Sequence, residues 1–236
     1  DAHASQGDLR LAIGDELQFF DRRTGTVISR RAITKIDFAT VNDQQGTHVS
    51  LDGDVGPVVP GRIGGAFNAS VTQVYNFNVT SNQFVFRNNH VSNGRRVGVL
   101  YKGDRALIEN NRFEGLGGGA VECWNAPVEG LCASSIIIEG NVAKDVCQLD
   151  RRAAPIWIAA QPSGASPTCH RDISIRGNKF DTGPDPVFSI NDVSRVAIRN
   201  NTMVRCKGDA TKTLVMSNAD GVVFDVTNKV EALEDP

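Results

Sequence analysis

The 236-residue chain has little excess of either charge: 25 Lys and Arg face 27 Asp and Glu, for a formal net charge of -2. With acid and base mixed throughout, neither nucleic acid nor an anionic membrane is expected as a partner. No run approaches about 18 consecutive apolar residues, so no helical membrane span is expected. A basic segment followed by an apolar one, the mark of an export signal, is also missing. The sequence lacks a phosphate loop, a nucleotide fingerprint, a CxxC pair and any Cys/His ligand spacing, so no organic cofactor and no metal are expected. The five thiols cannot all pair. Cys123 with Cys132, and Cys147 with Cys169, could each close a loop, and buried free thiols are the alternative.

What the chain does have is apolar material, 40% of its residues, 23 glycines and a recurring asparagine. Long helices are not expected. A fragment of apolar-x-apolar-x-(Asn/Gly)-Asn-x-apolar character returns from about residue 84 onward. It reads Phe84-Val85-Phe86-Arg87-Asn88-Asn89, Leu107-Ile108-Glu109-Asn110-Asn111, Ile136-Ile137-Ile138-Glu139-Gly140-Asn141, Ile173-Ser174-Ile175-Arg176-Gly177-Asn178 and Val196-Ala197-Ile198-Arg199-Asn200-Asn201. A worn copy ends at Asn228. The second asparagine advances in steps of 22, 30, 37, 23 and 27 residues. Such steps suit the coils of a solenoid with loops of variable length. Each copy alternates with period two, as strands do, and Asn follows where the chain must turn. One coil cannot bury its own apolar side, so several must stack. The expectation is an all-β chain: a right-handed parallel β-helix whose asparagines form a ladder, each amide bonding the coil above or below.

A second strand family lies between the asparagine turns: Gly98-Val99-Leu100-Tyr101, Ala120-Val121-Glu122-Cys123-Trp124, Pro155-Ile156-Trp157-Ile158 and Val187-Phe188-Ser189-Ile190. With Val99, Val121, Ile156 and Phe188 pointing inward, Leu100, Glu122, Trp157 and Ser189 form an outward column. Coils stack at about 4.8 Å, so Glu122 and Trp157 should be neighbours on one face, with Trp124 beside them. A carboxylate next to two indoles suits a sugar: aromatic faces cover the C–H side of a pyranose while acids bond hydroxyls or move protons. That makes an oligosaccharide or polysaccharide the expected partner.

The first 57 residues carry no ladder copy. Short strand-like runs (Leu17–Phe20, Thr26–Ser29 and His48–Asp52) alternate with turns at 21–25 and 42–46. The expected organisation is a first part of a coil over 1–8, a small inserted antiparallel β-barrel over 9–57, and the β-helix over 58–236. A β-helix that starts on an uncovered coil exposes unpaired backbone, so a preceding portion of a longer protein is expected.

Four stretches, Gly14-Asp15-Glu16-Leu17 with Asp21, Arg95-Arg96-Val97-Gly98-Val99-Leu100, Ile108 through Gly115, and Ala120-Val121-Glu122 through Trp124 to Glu129-Gly130, carry a family resemblance. Together they resemble the C-terminal portion of the inverting β-helix α-1,3-galactosidases, the blood-group-B type of glycoside hydrolase. The resemblance implies removal of terminal α-galactose with inversion, and secretion or a bacterial periplasmic location. It implies Asp1 and Glu122 as catalytic carboxyls, with His3, Arg95, Arg96, Trp124 and Glu129 against the sugar, and Trp157 joins them from the outward column. Asp145, Asp150, Asp185 and Asp192 are alternative acids. A non-catalytic glycan-binding or structural β-helix of adhesin or tailspike type is the competing expectation. A uronate lyase or epimerase is disfavoured, because the outward column lacks the basic residues that acidic sugars require. A homo-oligomer is compatible with either.

Overall fold

The computed structural model describes residues 11–21, 26–41, 44–59, 72–125, 132–149, 154–160, 169–181, 186–205 and 213–232. Nearly every element is a strand, and the one helical element described is a single 3₁₀ turn, Phe77–Val79. No described helix is long and apolar enough to cross a membrane. The chain divides into two compact units, one reaching Thr80 and one beginning at Ser81.

The first unit is a four-stranded antiparallel sheet in the order β3-β2-β1-β4, formed by β1 (Glu16–Asp21), β2 (Thr26–Val41), β3 (Gln44–Leu51) and β4 (Thr72–Asn76). It fits the small antiparallel barrel read from the sequence. Strand β4 lies beyond residue 57 in the chain and pairs antiparallel with β1. Strand β2 is far longer than the Thr26–Ser29 run suggested: it pairs with β1 through Thr26–Ala32 and with β3 from Ile33 onward. Leu17, Phe19 and Ile33 form the core of this unit. Asp15, one of the residues behind the family resemblance, has a structural task. Its Oδ2 accepts from the Ala12 amide at 2.9 Å and from Asn76 Nδ2 at 2.7 Å.

The second unit is a parallel β-helix. Its first coil is β5 (Phe84–Arg87), β6 (His90–Ser92) and β7 (Val99–Leu100); its second is β8 (Asp104–Glu109), β9 (Arg112–Glu114) and β10 (Val121–Asn125). The third is β11 (Ser134–Glu139), β12 (Val142–Lys144) and β13 (Ile156–Ala160). Next come β14 (His170–Arg176) and β15 (Lys179–Asp181). The long strand β16 (Phe188–Arg199) closes that coil and opens the following one. The remaining strands are β17 (Thr202–Arg205), β18 (Leu214–Phe224) and β19 (Lys229–Ala232). Every pairing among these strands is parallel.

Registers place like beside like. One inward column runs Phe86, Ile108, Ile138, Ile175, Ile198, Phe224 and another runs Val91, Phe113, Ala143, Phe180, Met203. Ile108, Ile138, Ile175 and Ile198 are wholly buried, as befits β-branched side chains stacked on a pleated surface.

In the first five coils, the turn between the first and second strand divides its work between two residues. The first of the pair adopts positive φ: 58° at Asn88, 53° at Asn110, 63° at Gly140, 64° at Gly177 and 56° at Asn200. Asn and Gly are the residues that tolerate this conformation. At Gly140 the space is also closed, since a Cβ there would lie 2.4 Å from Asn110 Oδ1. The second residue is the ladder asparagine. The backbone N–H and Nδ2 of Asn111 both donate to Asn141 Oδ1, at 2.9 and 3.0 Å. Asn141 donates likewise to Asn178, Asn178 to Asn201, Asn201 to Asn228, and Asn89 to Asn111. The second Nδ2 proton reaches the strand carbonyl one coil back, as from Asn111 to Phe86 O and from Asn141 to Ile108 O. Each interior amide is therefore saturated, which is what burial demands of it.

Replacing Asn141 by Ala strands the donors of Asn111 and the carbonyl of Ile108 in the core. The expected cost is about 2–4 kcal/mol of unfolding free energy by urea titration. Asn89→Ala, at the exposed start of the ladder, should cost under about 1 kcal/mol; equal losses at both positions would contradict the ladder's role.

Candidate functional site

The third sheet of the helix, β7, β10, β13 and the first half of β16, presents the outward column. Glu122 pairs with Leu100 on one side and Trp157 on the other, and Trp157 pairs with Ser189. Val99, Val121, Ile156 and Phe188 point inward and are buried. The indoles are diagonal neighbours, because Trp124 lies opposite Ala159 rather than opposite Trp157. Ala159 leaves room for the larger ring, and the two ring centroids are 5.4 Å apart with planes tilted by 46°. Both indoles are half-buried, and Trp157 also packs against the core. Each therefore combines a packed side with a partly accessible ring surface.

Glu122 points outward yet is only 8% exposed. Its Oε1 accepts from the Gly119 amide at 3.2 Å. Gly119 must be glycine, since a Cβ would lie 2.5 Å from Ala154 O. The carboxylate is thus anchored by backbone at one edge of the indole pair.

The face continues past the indoles as a polar relay that sequence reading left unassembled. Asn191 Nδ2 donates to Ser189 Oγ at 3.0 Å, and Ser217 Oγ donates to Asn191 Oδ1 at 2.7 Å. Asn191 and Ser217 are register partners, and Asn191 lies two residues beyond Ser189 on the same strand. The period-two rule that found Ser189 would also have found Asn191. The whole surface runs from carboxylate through indoles to amide and hydroxyl, with no cationic side chain in either outward column from Glu122 to Ser217.

Beneath this face, β10 and β13 are tied to the neighbouring corner. His170 is wholly buried; its Nδ1 accepts from the Ala133 amide at 3.0 Å and its Nε2 lies 3.0 Å from Ala159 O. The Ala133 donor assigns the proton to Nε2, so the ring is neutral. Cys132 and Cys169 form a disulfide, with Cα atoms 5.3 Å apart, and Asn125 Nδ2 approaches both sulfurs at 3.7 Å. This corrects the pairings considered from sequence: the bridge joins adjacent coils at equivalent positions, while Cys123 and Cys147 are buried free thiols.

Of the residues expected at the site, Glu122, Trp124 and Trp157 are brought together. Arg95 and Arg96 are exposed in the turn before β7, where Arg96 O accepts from the Gly118 amide at 3.2 Å. Asp1, His3 and Glu129, and with them the coil expected over 1–8, lie outside the described residues. Among the described residues, no group of three or more His, Cys, Asp or Glu side chains is arranged to hold a metal ion.

Burial pushes the Cys123 thiol up from 9.0 to about 12, with the adjacent Glu122 carboxylate adding to the effect. Burial, then Asp104, pushes the Tyr101 phenol from 10.0 to about 12. Its hydroxyl is held by Ser81 O at 2.6 Å.

The chain belongs to the right-handed β-helix family: the profile described as right handed beta helix region matches residues 73–232, more than half of its length. Comparison with functionally described proteins gave no match.

Raised values for both Cys123 and Tyr101 mean that the folded state holds these protons longer than the unfolded chain does. Their contribution is fully present below about pH 9 and is lost as pH rises toward about 12. The urea midpoint should therefore fall between about pH 8 and about pH 11, and Cys123 should resist iodoacetamide until the chain unfolds. Prompt alkylation of Cys123 in the native protein at about pH 8.5 would contradict its burial.

Proposed function

We propose that the Glu122–Trp124–Trp157 face binds a neutral oligosaccharide, and that the chain acts on it as a glycoside hydrolase removing terminal α-galactose with inversion. The single observation that carries this reading is the anchored Glu122 carboxylate in register with Trp157, whose half-buried indole packs beside that of Trp124. The two ring faces cover the apolar side of a sugar, Glu122 reaches its hydroxyls or glycosidic oxygen, and the Ser189–Asn191–Ser217 relay receives the next unit along the helix axis. The membership in the β-helix family supports this reading in general terms, since the fold presents long flat columns to extended ligands.

Inversion requires two carboxyl groups roughly 6.5–9.5 Å apart. One protonates the leaving oxygen as the C1–O bond breaks. The other takes a proton from water as the new C1–O bond forms on the opposite face, giving β-galactose from an α-linkage. Glu122 is proposed as one of this pair, with Arg95 and Arg96 against the sugar; the family resemblance assigns the other carboxyl to Asp1, and His3 and Glu129 to the sugar. Secretion or a periplasmic location follows from such a substrate and is proposed with it.

A second reading, a glycan-binding module without turnover, is favoured by one observation: Glu122 is the single carboxylate in the described outward column, and one of its oxygens is engaged by the Gly119 amide. Incubation with α-1,3-galactosyl oligosaccharides, followed by NMR of the first-formed anomer, separates the two. Release of β-galactose supports the hydrolase, release of α-galactose contradicts inversion, and saturable binding without release supports the module. For the hydrolase, Glu122→Gln should lower kcat by at least about 100-fold with KM changed less than about threefold. Trp157→Ala should weaken sugar binding about tenfold or more under either reading.

A further inference from the structure

We propose that the outward face of the first helical sheet, formed by β5, β8, β11, β14 and the second halves of β16 and β18, is a twofold interface on which a second copy of this chain docks with its helix axis reversed. The observation is an antisymmetric column of charge. The last outward position of each strand reads, coil by coil, Arg87, Glu109, Glu139, Arg176, Arg199 and Asp225. Asp225 directly follows the last paired residue of β18, and its amide donates to Ile198 O at 2.9 Å, which keeps it in the column. The signs run plus, minus, minus, plus, plus, minus. Read in reverse, every sign inverts.

A twofold axis parallel to the strands, passing between β11 and β14, exchanges the first coil with the last. It lays this column against its own reversed copy. Glu139 then meets Arg176, Glu109 meets Arg199 and Arg87 meets Asp225, each pair occurring twice. Within one chain Arg176 Nη2 already donates to Glu139 Oε2 at 2.8 Å, so the axis would assemble a four-charge cluster. The same operation brings together the apolar column beside the charges: Val85 against Val223, Leu107 against Ala197 and Ile137 against Ser174. Val85 and Val223 are each 57% exposed, and Ile137 is 36% exposed. The one like-charge pair it creates, Arg105 with Arg195, is muted. Arg195 is bidentate to Asp172 at 2.6 and 2.7 Å, and Arg105 lies 3.4 Å from Asp104.

Six strands at about 4.8 Å and four residues of about 3.3 Å give a footprint on the order of 400 Å² per copy. That is about 800 Å² in total, below the roughly 1,000 Å² that a stable specific interface clears, so the dimer is weak, reversible and sensitive to salt. Its occupant is a second copy rather than an unrelated partner, because the sign pattern complements itself.

Sedimentation velocity on the whole chain, from about 1 to about 200 µM and at about 0.05 and about 0.5 M NaCl, tests this. A concentration-dependent dimer that weakens at the higher salt is expected. Glu109 and Arg199 are separated by three coils, about 14 Å along the axis, so they meet only across the interface. Glu109→Arg alone and Arg199→Glu alone should each weaken the dimer about tenfold, and the double reversal should bring it back to within about threefold. Unchanged circular dichroism and unfolding midpoint establish that the variants are folded. A monomer throughout the range, a dimer indifferent to Glu109→Arg, or a double reversal no tighter than the single ones would each overturn the proposal.

Discussion

The asparagine ladder is the interaction on which the rest depends. A parallel coil offers hydrogen bonds along the stacking direction wherever it is straight, but at a corner the backbone turns away and its donors lose their partners. The chain supplies the missing bonds with one side chain per coil. The amide oxygen accepts twice from the coil before, and the amide nitrogen donates to the coil after and to a strand carbonyl. Four of these asparagines, Asn111, Asn141, Asn178 and Asn201, are essentially buried. A buried amide is tolerable only when saturated, so the ladder forms with every coil in register or strains locally. Register then fixes everything else: the isoleucine columns inside and the chemical columns outside.

The outward columns follow from that register at no further cost. Residues far apart in sequence, such as Glu122 and Trp157, become neighbours because their strands begin at equivalent points of successive coils. Loops of different length between ladder positions do not disturb this, since the steps of 22 to 37 residues all close on the same turn. The two outer faces therefore diverge in character on one scaffold. One carries a carboxylate, two indoles and a polar relay; the other carries apolar side chains edged by alternating blocks of charge.

Much of this was legible in the residues themselves. The ladder positions were readable because the motif is short and repeats, and because Asn at a strand end has a local reason to be there. The outward column was readable by period two once the strands were aligned. The disulfide carried a signal that single-spacing reasoning passed over: Cys132 and Cys169 are 37 residues apart, the same step as Asn141 to Asn178, so they occupy one position on adjacent coils. Other features had no such mark. Strand β2 runs through a change of partner, and alternation alone does not show where a strand leaves one neighbour for another. The bond from Gly119 to Glu122 is made by a backbone amide, whose direction leaves no trace in residue identity. The division of the turn, with positive φ on the first residue and the ladder on the second, is equally a property of backbone geometry.

The two tryptophans of the chain both lie on the proposed sugar face, so intrinsic tryptophan emission reports on that surface and no other. The most direct measurement is therefore the emission spectrum of the whole protein titrated with a neutral α-galactosyl trisaccharide. A saturable change in intensity or wavelength, absent with an equal concentration of a non-sugar polyol, is the result this account predicts. Emission unchanged up to about 10 mM sugar, a concentration at which even a weak site of about 4 kcal/mol would be largely filled, would contradict it.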